Sequence, residues 1–361
     1  MNMRRHFSHN VKPDSHLNRR SFLRSLPLGA VGLFAGTTGM EPESALSERK
    51  SSPRKSRASF VTGNDRREMI YKTLEPFKDE ITKGIQGKQV VIKPNNVWHD
   101  NPLCATHPDA IRGTLDFLKT LYNKRILIAE STASPKGTEF TFEQYGYLPL
   151  EKEYNVKLVD LNKDTYSIEW ILSEKRHPLD IKIVDTFLNP NNYIISLARM
   201  KTHNCVVATL AFKNMLLASP INVGADHTDF VKNQYEKAKV HQGGLVGINY
   251  NMFLLAHKIR PHFSIIDGCV GMQGNGPNHG TPVEHGVALA GHDVVAVDRV
   301  GIELMGINYE DVGYLQWCAA AGFGQGDLSG IRIIGPDISP HIIPYRLHEN
   351  IERQLSWKES S

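Results

Sequence analysis

Short apolar runs alternate with stretches of helical spacing through the body of the chain, and most runs end on a polar cluster. Gln89-Val90-Val91-Ile92 is closed by Lys93-Pro94-Asn95, and Arg125-Ile126-Leu127-Ile128-Ala129 by Glu130-Ser131. Val156 to Val159 reads as a third strand, and Tyr193-Ile194-Ile195-Ser196-Leu197 as a buried one running into Lys201-Thr202-His203. Phe263 to Ile266 is a strand closed by Asp267-Gly268; Val287 to Ala290 and Ile331 to Ile334 complete the set. Between them, Thr106-His107-Pro108 marks a helix start with Pro in its first turn, followed by Ile111, Leu115, Leu118 and Tyr122 on one face. Leu245, Ile248, Met252, Leu255 and Ile259 predict a long helix ended by Pro261, and Asp293 is placed to cap a helix over 293–306. The alternation predicts an α/β fold, an open and largely parallel sheet flanked by helices. Residues 161–190 and 219–240 lack periodicity, and the second is long enough for a functional loop or a small extra lobe.

Charge divides the chain. Residues 1–58 hold 11 basic and 4 acidic residues, while the other 303 hold 31 and 34. The basic pI near 8.7 therefore belongs to the leader, which disfavours a nucleic-acid protein built on a basic surface. At 40% hydrophobic and 22% charged residues the chain is ordinary for a globular protein and unlike a disordered one. Cys104, Cys205, Cys269 and Cys318 are far apart with no C-x-x-C, so zinc-ribbon and iron–sulfur spacings are absent. One or two disulfides, or none, fit the count.

Within the leader, Asn18-Arg19-Arg20-Ser21-Phe22-Leu23-Arg24 precedes a mildly apolar, glycine-rich stretch from Leu26 to Gly39. That stretch is too short for a stable membrane span. The order resembles a twin-arginine export signal and predicts an exported, periplasmic protein that meets the export machinery. No clean A-x-A follows, so an uncleaved leader would tether it to the membrane. The expected organisation is a signal region over 1–46, a linker over 47–64, an α/β domain over 65–345 and a tail over 346–361, with no membrane span in the body.

The polar clusters at the strand ends carry the functional expectation. In an open parallel sheet, ligands bind in the crevice beyond the carboxyl ends of the strands. Lys93, Lys201 and Lys213 lie beside apolar runs, where an unpaired ammonium is costly. A ligand phosphate or carboxylate would relieve that cost, and so would Glu130, Asp267 or a solvated head group. The glycines from 268 to 276 read either as an anion-binding nest or as a long tight turn. No phosphate-loop or dinucleotide fingerprint is present. His203, His227, His241, His262 and His279 match no metal spacing; His203 and Asp267 are the first choices if a metal ion is held. Cys205 and Cys269 read as candidate soft ligands or as small buried residues. Asp298, on an apolar helix face, needs a partner, either a site lysine or a loop to cap, or carries a raised pKa.

Val91-Ile92-Lys93-Pro94-Asn95, Thr106-His107-Pro108, Lys201-Thr202-His203, Lys213-Asn214, Asp267-Gly268, Gly274-Asn275-Gly276-Pro277, Asp293 and Ala296-Val297-Asp298 together resemble the domain of unknown function 362 family over about residues 88–335. The resemblance implies an α/β domain. By position it marks Lys93, Asn95, His107, Lys201, His203, Lys213, Asn214, Asp267 and Asp298 as characteristic polar residues. It implies no reaction, and this chain lacks the cysteine run of relatives that carry ferredoxin-like segments.

The resulting expectation is an enzyme acting on a small anionic molecule. Lys93, Lys201 and Lys213 would hold the anion, with Asn95, Asn214, Gly274 and Gly276 as further contacts. His203 would be the general acid/base, oriented by Asp267, and His107, Glu130 and Asp298 would support the site. The alternative is a non-catalytic periplasmic protein that binds a ligand or carries a metal or metallocofactor.

Overall fold

The computed structural model of the chain describes residues 56–221 and 236–360. The twin-arginine segment, the apolar stretch behind it and His227 lie outside them. The strands are β1 (Ser56–Thr62), β2 (Gln89–Pro94), β3 (Ile126–Glu130), β4 (Val156–Asp160), β5 (Tyr166–Leu172), β6 (Pro178–Val184), β7 (Asn192–Thr202), β8 (Ala208–Thr209), β9 (Phe263–Gln273), β10 (Thr281–Gly291) and β11 (Ile331–Ile334). A nine-stranded sheet runs β11-β1-β10-β9-β7-β2-β3-β4, with β8 paired to β7; β5 and β6 form a separate hairpin. From β9 to β4 all neighbours are parallel, while β10 is antiparallel to both β9 and β1. The fold is therefore α/β with a mixed, mostly parallel sheet.

Alternation along the central strands explains the layers. Val90 and Ile92 of β2, with Ile195 and Leu197 of β7, join one core. Val91, Ile194, Ala198 and Met200 join the core on the other face. The helix Pro108–Leu118 shows how the sequence sets a flanking layer. His107 Nδ1 accepts the Asp109 N–H as cap, Pro108 opens the first turn, and Ala110, Ile111, Leu115, Phe117 and Leu118 form the buried stripe. Truncating Leu115 to Ala would cost this layer about 2–5 kcal/mol.

Chain order places the site. After β2 the chain moves outward to β3 and β4, then returns to the other side of β2 with β7 and β9. The direction of winding reverses between β2 and β7, which is where a doubly wound sheet opens a crevice.

Several expectations are corrected. The linker expected over 47–64 contains β1, whose Ala58 and Phe60 are fully buried. The tail expected over 346–361 is packed through Gln354, which donates to the His203 carbonyl at 2.9 Å and accepts the Val207 N–H at 2.8 Å. That clasp holds a turn in which β-branched Val207 sits at φ 65°, a conformation such residues avoid. β9 does not stop at Ile266 but continues to Gln273, so Gly268 and Gly271 are strand residues rather than a loop. A Cβ on Gly271 would lie 2.1 Å from Tyr345 Oη. All four cysteines are free thiols. Among the described residues, no helix is long and apolar enough to cross a membrane.

Candidate functional site

A cavity of about 390 Å³ opens at the β2/β7 reversal. The loop after β2 contributes Lys93, Asn95, Asn96 and Trp98, and the end of β3 contributes Glu130 and Ser131. The turn after β7 brings His203 and Cys205, the helix Ala211–Leu216 brings Lys213 and Asn214, and the helix Glu236–Val240 and its end bring Lys237 and His241. Pro277 and Asn278 come from the β9–β10 turn. Five of the seven expected catalytic or ligand-binding side chains outside the glycines thus meet the same cavity or its wall: Lys93, Asn95, His203, Lys213 and Asn214.

The cavity lysines differ in what they can offer. Lys93 Nζ donates to Glu130 Oε2 at 2.8 Å, to Asn214 Oδ1 at 3.0 Å and to the Pro94 carbonyl. Its three donors are used, and burial pushes its pKa down against the pull of Glu130. Lys93 is therefore a charge-paired strut and not a ligand donor. Lys237 is satisfied as well, by Ser131 Oγ and the carbonyls of Leu217 and Pro220. Lys213 is different. Only 5% of it is exposed, it faces the cavity, and among the described residues no oxygen takes a hydrogen bond or ion pair from its ammonium. Burial, then the charges of Lys201, Lys93 and Lys237, push its pKa down to about 7.

Asn214 is fully engaged: Oδ1 accepts from Lys93 and Asn95, while Nδ2 donates to the Lys93 carbonyl and Ser196 Oγ. It fastens the helix Ala211–Leu216 to β2 and β7. Asp298 fixes the same helix from the opposite end, accepting the N–H groups of Ala211 at 2.9 Å and Phe212 at 3.0 Å. The carboxyl caps a helix rather than pairing with a lysine, and burial raises its pKa to about 8. Asn96, 1% exposed, has neither amide atom hydrogen-bonded, and Asn95 Oδ1 is likewise unpartnered. Buried polar atoms are normally satisfied, so these amides and Lys213 form a cluster of unused hydrogen-bonding capacity.

The two histidines complement each other. His203 Nδ1 accepts the Cys205 N–H at 3.0 Å, which leaves the ring proton on Nε2. Burial first, then Lys213, hold its pKa well below the ordinary histidine range. His203 is thus a neutral N–H donor, and the base role expected for it is not what this geometry provides. His241 has the opposite tautomer: Nδ1 donates to the Lys237 carbonyl at 3.0 Å, leaving a lone pair on Nε2. Desolvation lowers its pKa, and Lys213 adds to the effect.

Other expected residues lie elsewhere. Lys201 projects to the other face of β7, where Nζ reaches the Cys104 carbonyl at 3.3 Å; burial lowers its pKa to about 8. Asp267 lies inside β9, not at a strand end. Its carboxylate pairs with Arg66 Nε at 3.1 Å and accepts the Cys269 N–H. It neither orients His203 nor shares a cavity with it, so the pair proposed for a metal ion does not form. Among the described residues, no group of three or more His, Cys, Asp or Glu is arranged to hold a metal ion. His107 caps its helix outside the cavity. Gly274 and Gly276 allow close backbone approach: a Cβ at Gly276 would sit 2.2 Å from the Thr202 carbonyl oxygen. They seat the Pro277-Asn278 turn against β7 and are not themselves part of the wall. Lys237 and His241 were not among the site residues expected from sequence; their only signal was a histidine and lysines at the end of an aperiodic stretch.

The chain belongs to the family described as Domain of unknown function (DUF362), whose model matches residues 90–303. It is 26% identical over 233 residues to a thylakoid-associated protein of Synechocystis sp., a match covering 61% of this chain and 63% of that relative. The chain thus spans less than two thirds of that protein's length. A solved lactate racemase apoprotein from Thermoanaerobacterium thermosaccharolyticum aligns with a TM-score of 0.38 at 15% identity, over 74% of this chain and 57% of that one. A protein from Thermotoga maritima aligns with a TM-score of 0.37 at 11% identity, over 77% and 62%.

Proposed function

We propose that this chain binds a small anionic ligand in the cavity at the β2/β7 reversal and acts on it as an enzyme. The observation that carries the reading is Lys213, a buried ammonium facing the cavity without a counter-charge among the described residues. A buried unpaired charge is destabilising, and an entering carboxylate or phosphate would supply what the fold withholds. The Nε2–H of His203 and the amide of Asn96 are neutral donors on the same wall, suited to the remaining oxygens of such a group. Among the described residues Glu130 is the one carboxylate lining the cavity, and Lys93 already neutralises it. Trp98 and Leu217 provide apolar surface for a short carbon skeleton.

Titration calorimetry with phosphate, acetate and lactate tests this reading. Wild-type chain should bind at least one of the three at a single site, and Lys213→Met should lose that binding while keeping its circular dichroism spectrum. Equal affinity in the variant would sink the proposal. The same reading takes Asn18 to Arg24 as a signal for export to the periplasm. Replacing Arg19 and Arg20 together by Lys should leave the chain in the cytoplasmic fraction, and unchanged fractionation would refute that part alone.

A further inference from the structure

We propose that Lys213 is a nucleophile that forms an imine with the carbonyl group of a small oxo acid bound in the cavity. This rests on the anion-binding reading above and names the ligand class it leaves open.

An amine reacts with a carbonyl only as the free base, and enzymes obtain that form by desolvating a lysine or placing it beside another cation. Lys213 has both conditions. It is buried on the helix Ala211–Leu216, and Lys201 from β7, Lys93 from β2 and Lys237 from the helix Glu236–Val240 all bear on it electrostatically. Cys205, His203 and His241 are the other titratable groups coupled to it. Among the described residues no carboxylate pairs with it, and with a pKa of about 7 both the ammonium that attracts an acid group and the free amine are present near neutrality. Lys93 shows the contrast: Glu130 at 2.8 Å makes it an ion-pair member and no nucleophile. Lys237 is tied to three oxygens, so among the described residues Lys213 is the cavity lysine whose nitrogen is free to attack.

The step balances without a further reactant. The Nζ lone pair forms the new bond to the carbonyl carbon, and the carbonyl π pair moves to oxygen. One proton passes from nitrogen to that oxygen, giving a carbinolamine. The oxygen then leaves as water with the second amine hydrogen, and C=N replaces C=O. His241 Nε2, with its lone pair on the same cavity, is suited to take the proton from nitrogen and return it to oxygen. The Nε2–H of His203 and the Asn96 amide remain as donors to the acid group.

Pyruvate is the probe. The full chain is incubated with pyruvate and sodium cyanoborohydride, digested and mapped by mass spectrometry, and binding is measured by calorimetry on the same preparation. The expected result is a heat of binding and, on Lys213, a mass gain of one pyruvate less one oxygen atom. Modification should be on the order of tenfold or more faster than at exposed lysines, and faster above neutrality than below it. Lys213→Arg, which keeps the charge, should retain the heat and lose the adduct. Binding without an adduct on Lys213 overturns the imine and leaves the anion site standing. Neither heat nor adduct overturns both. Adducts on other lysines with Lys213 unmodified overturn the assignment.

Discussion

Lys93 and Glu130 meet at 2.8 Å with both side chains out of solvent, and that contact removes the most conspicuous lysine of the sequence from ligand binding. A buried pair is held by geometry on both sides, and removing one member strands the other. Glu130→Gln should therefore lower stability by about 3–5 kcal/mol, read as a drop in the urea midpoint. The double variant Glu130→Gln, Lys93→Met should recover much of the loss. A single variant as stable as wild type would show that the pair is not what organises the ends of β2 and β3.

Lys213 makes the opposite prediction. With no counter-charge to strand among the described residues, Lys213→Met should raise the stability of the unliganded chain by about 1–3 kcal/mol, seen as a higher melting temperature. A residue that destabilises its fold and faces a cavity is one retained for what it binds. A fall in melting temperature would mean that the ammonium is paired in solution.

Asp298 lies outside the cavity, yet it sets the position of the helix carrying Lys213 and Asn214. In Asp298→Asn the amide oxygen can accept one N–H, while the amide nitrogen opposes the other. The expected cost is about 1–3 kcal/mol of stability, together with weaker anion binding in calorimetry. Loss of stability with full affinity retained would separate the cap from the site.

How much of this was legible depends on where the signal lay. β2, β3 and β7 were readable because continuous apolar runs ended on polar clusters at the site edge, as parallel strands buried on both faces do. Lys93, Asn95 and His203 followed from those ends, whereas Lys213 was marked by its place beside an apolar run and Asn214 by the family resemblance. β1 was missed because its buried Ala58 and Phe60 follow a basic run that reads as solvated. The β5–β6 hairpin was missed because it packs only part of its surface, leaving Tyr166 and Ile168 exposed. Asp267 was misplaced for a sharper reason: Gly268 and Gly271 looked like a turn, but they are the strand residues that let Val287 and Tyr345 pack closely against β9. Lys201 was misassigned by one register step, since alternation along β7 sends it to the face opposite the cavity. His241 stood among the histidines near the proposed edge but matched no spacing, and Lys237 carried no pattern that one sequence could reveal.

The pH dependence has a definite sign. Lys213 is held near 7 against an ordinary value of 10.5, so between those values the unfolded chain binds more protons than the folded one. Its contribution therefore raises unliganded stability as pH climbs through that window. Anion binding moves the other way, because the ammonium is lost as pH rises through about 7. Calorimetry across that range should show affinity falling on the alkaline side, and affinity that rises there would contradict the role of Lys213.

The central claim is that an acid group comes to rest between Lys213 and His203. The most direct measurement is anomalous diffraction from crystals of the full chain soaked in selenate. The account predicts a selenium peak inside the cavity, within hydrogen-bonding reach of Lys213 Nζ and His203 Nε2, and no such peak in Lys213→Met crystals. An empty cavity in the wild-type chain, with selenate bound only to surface lysines, would contradict it.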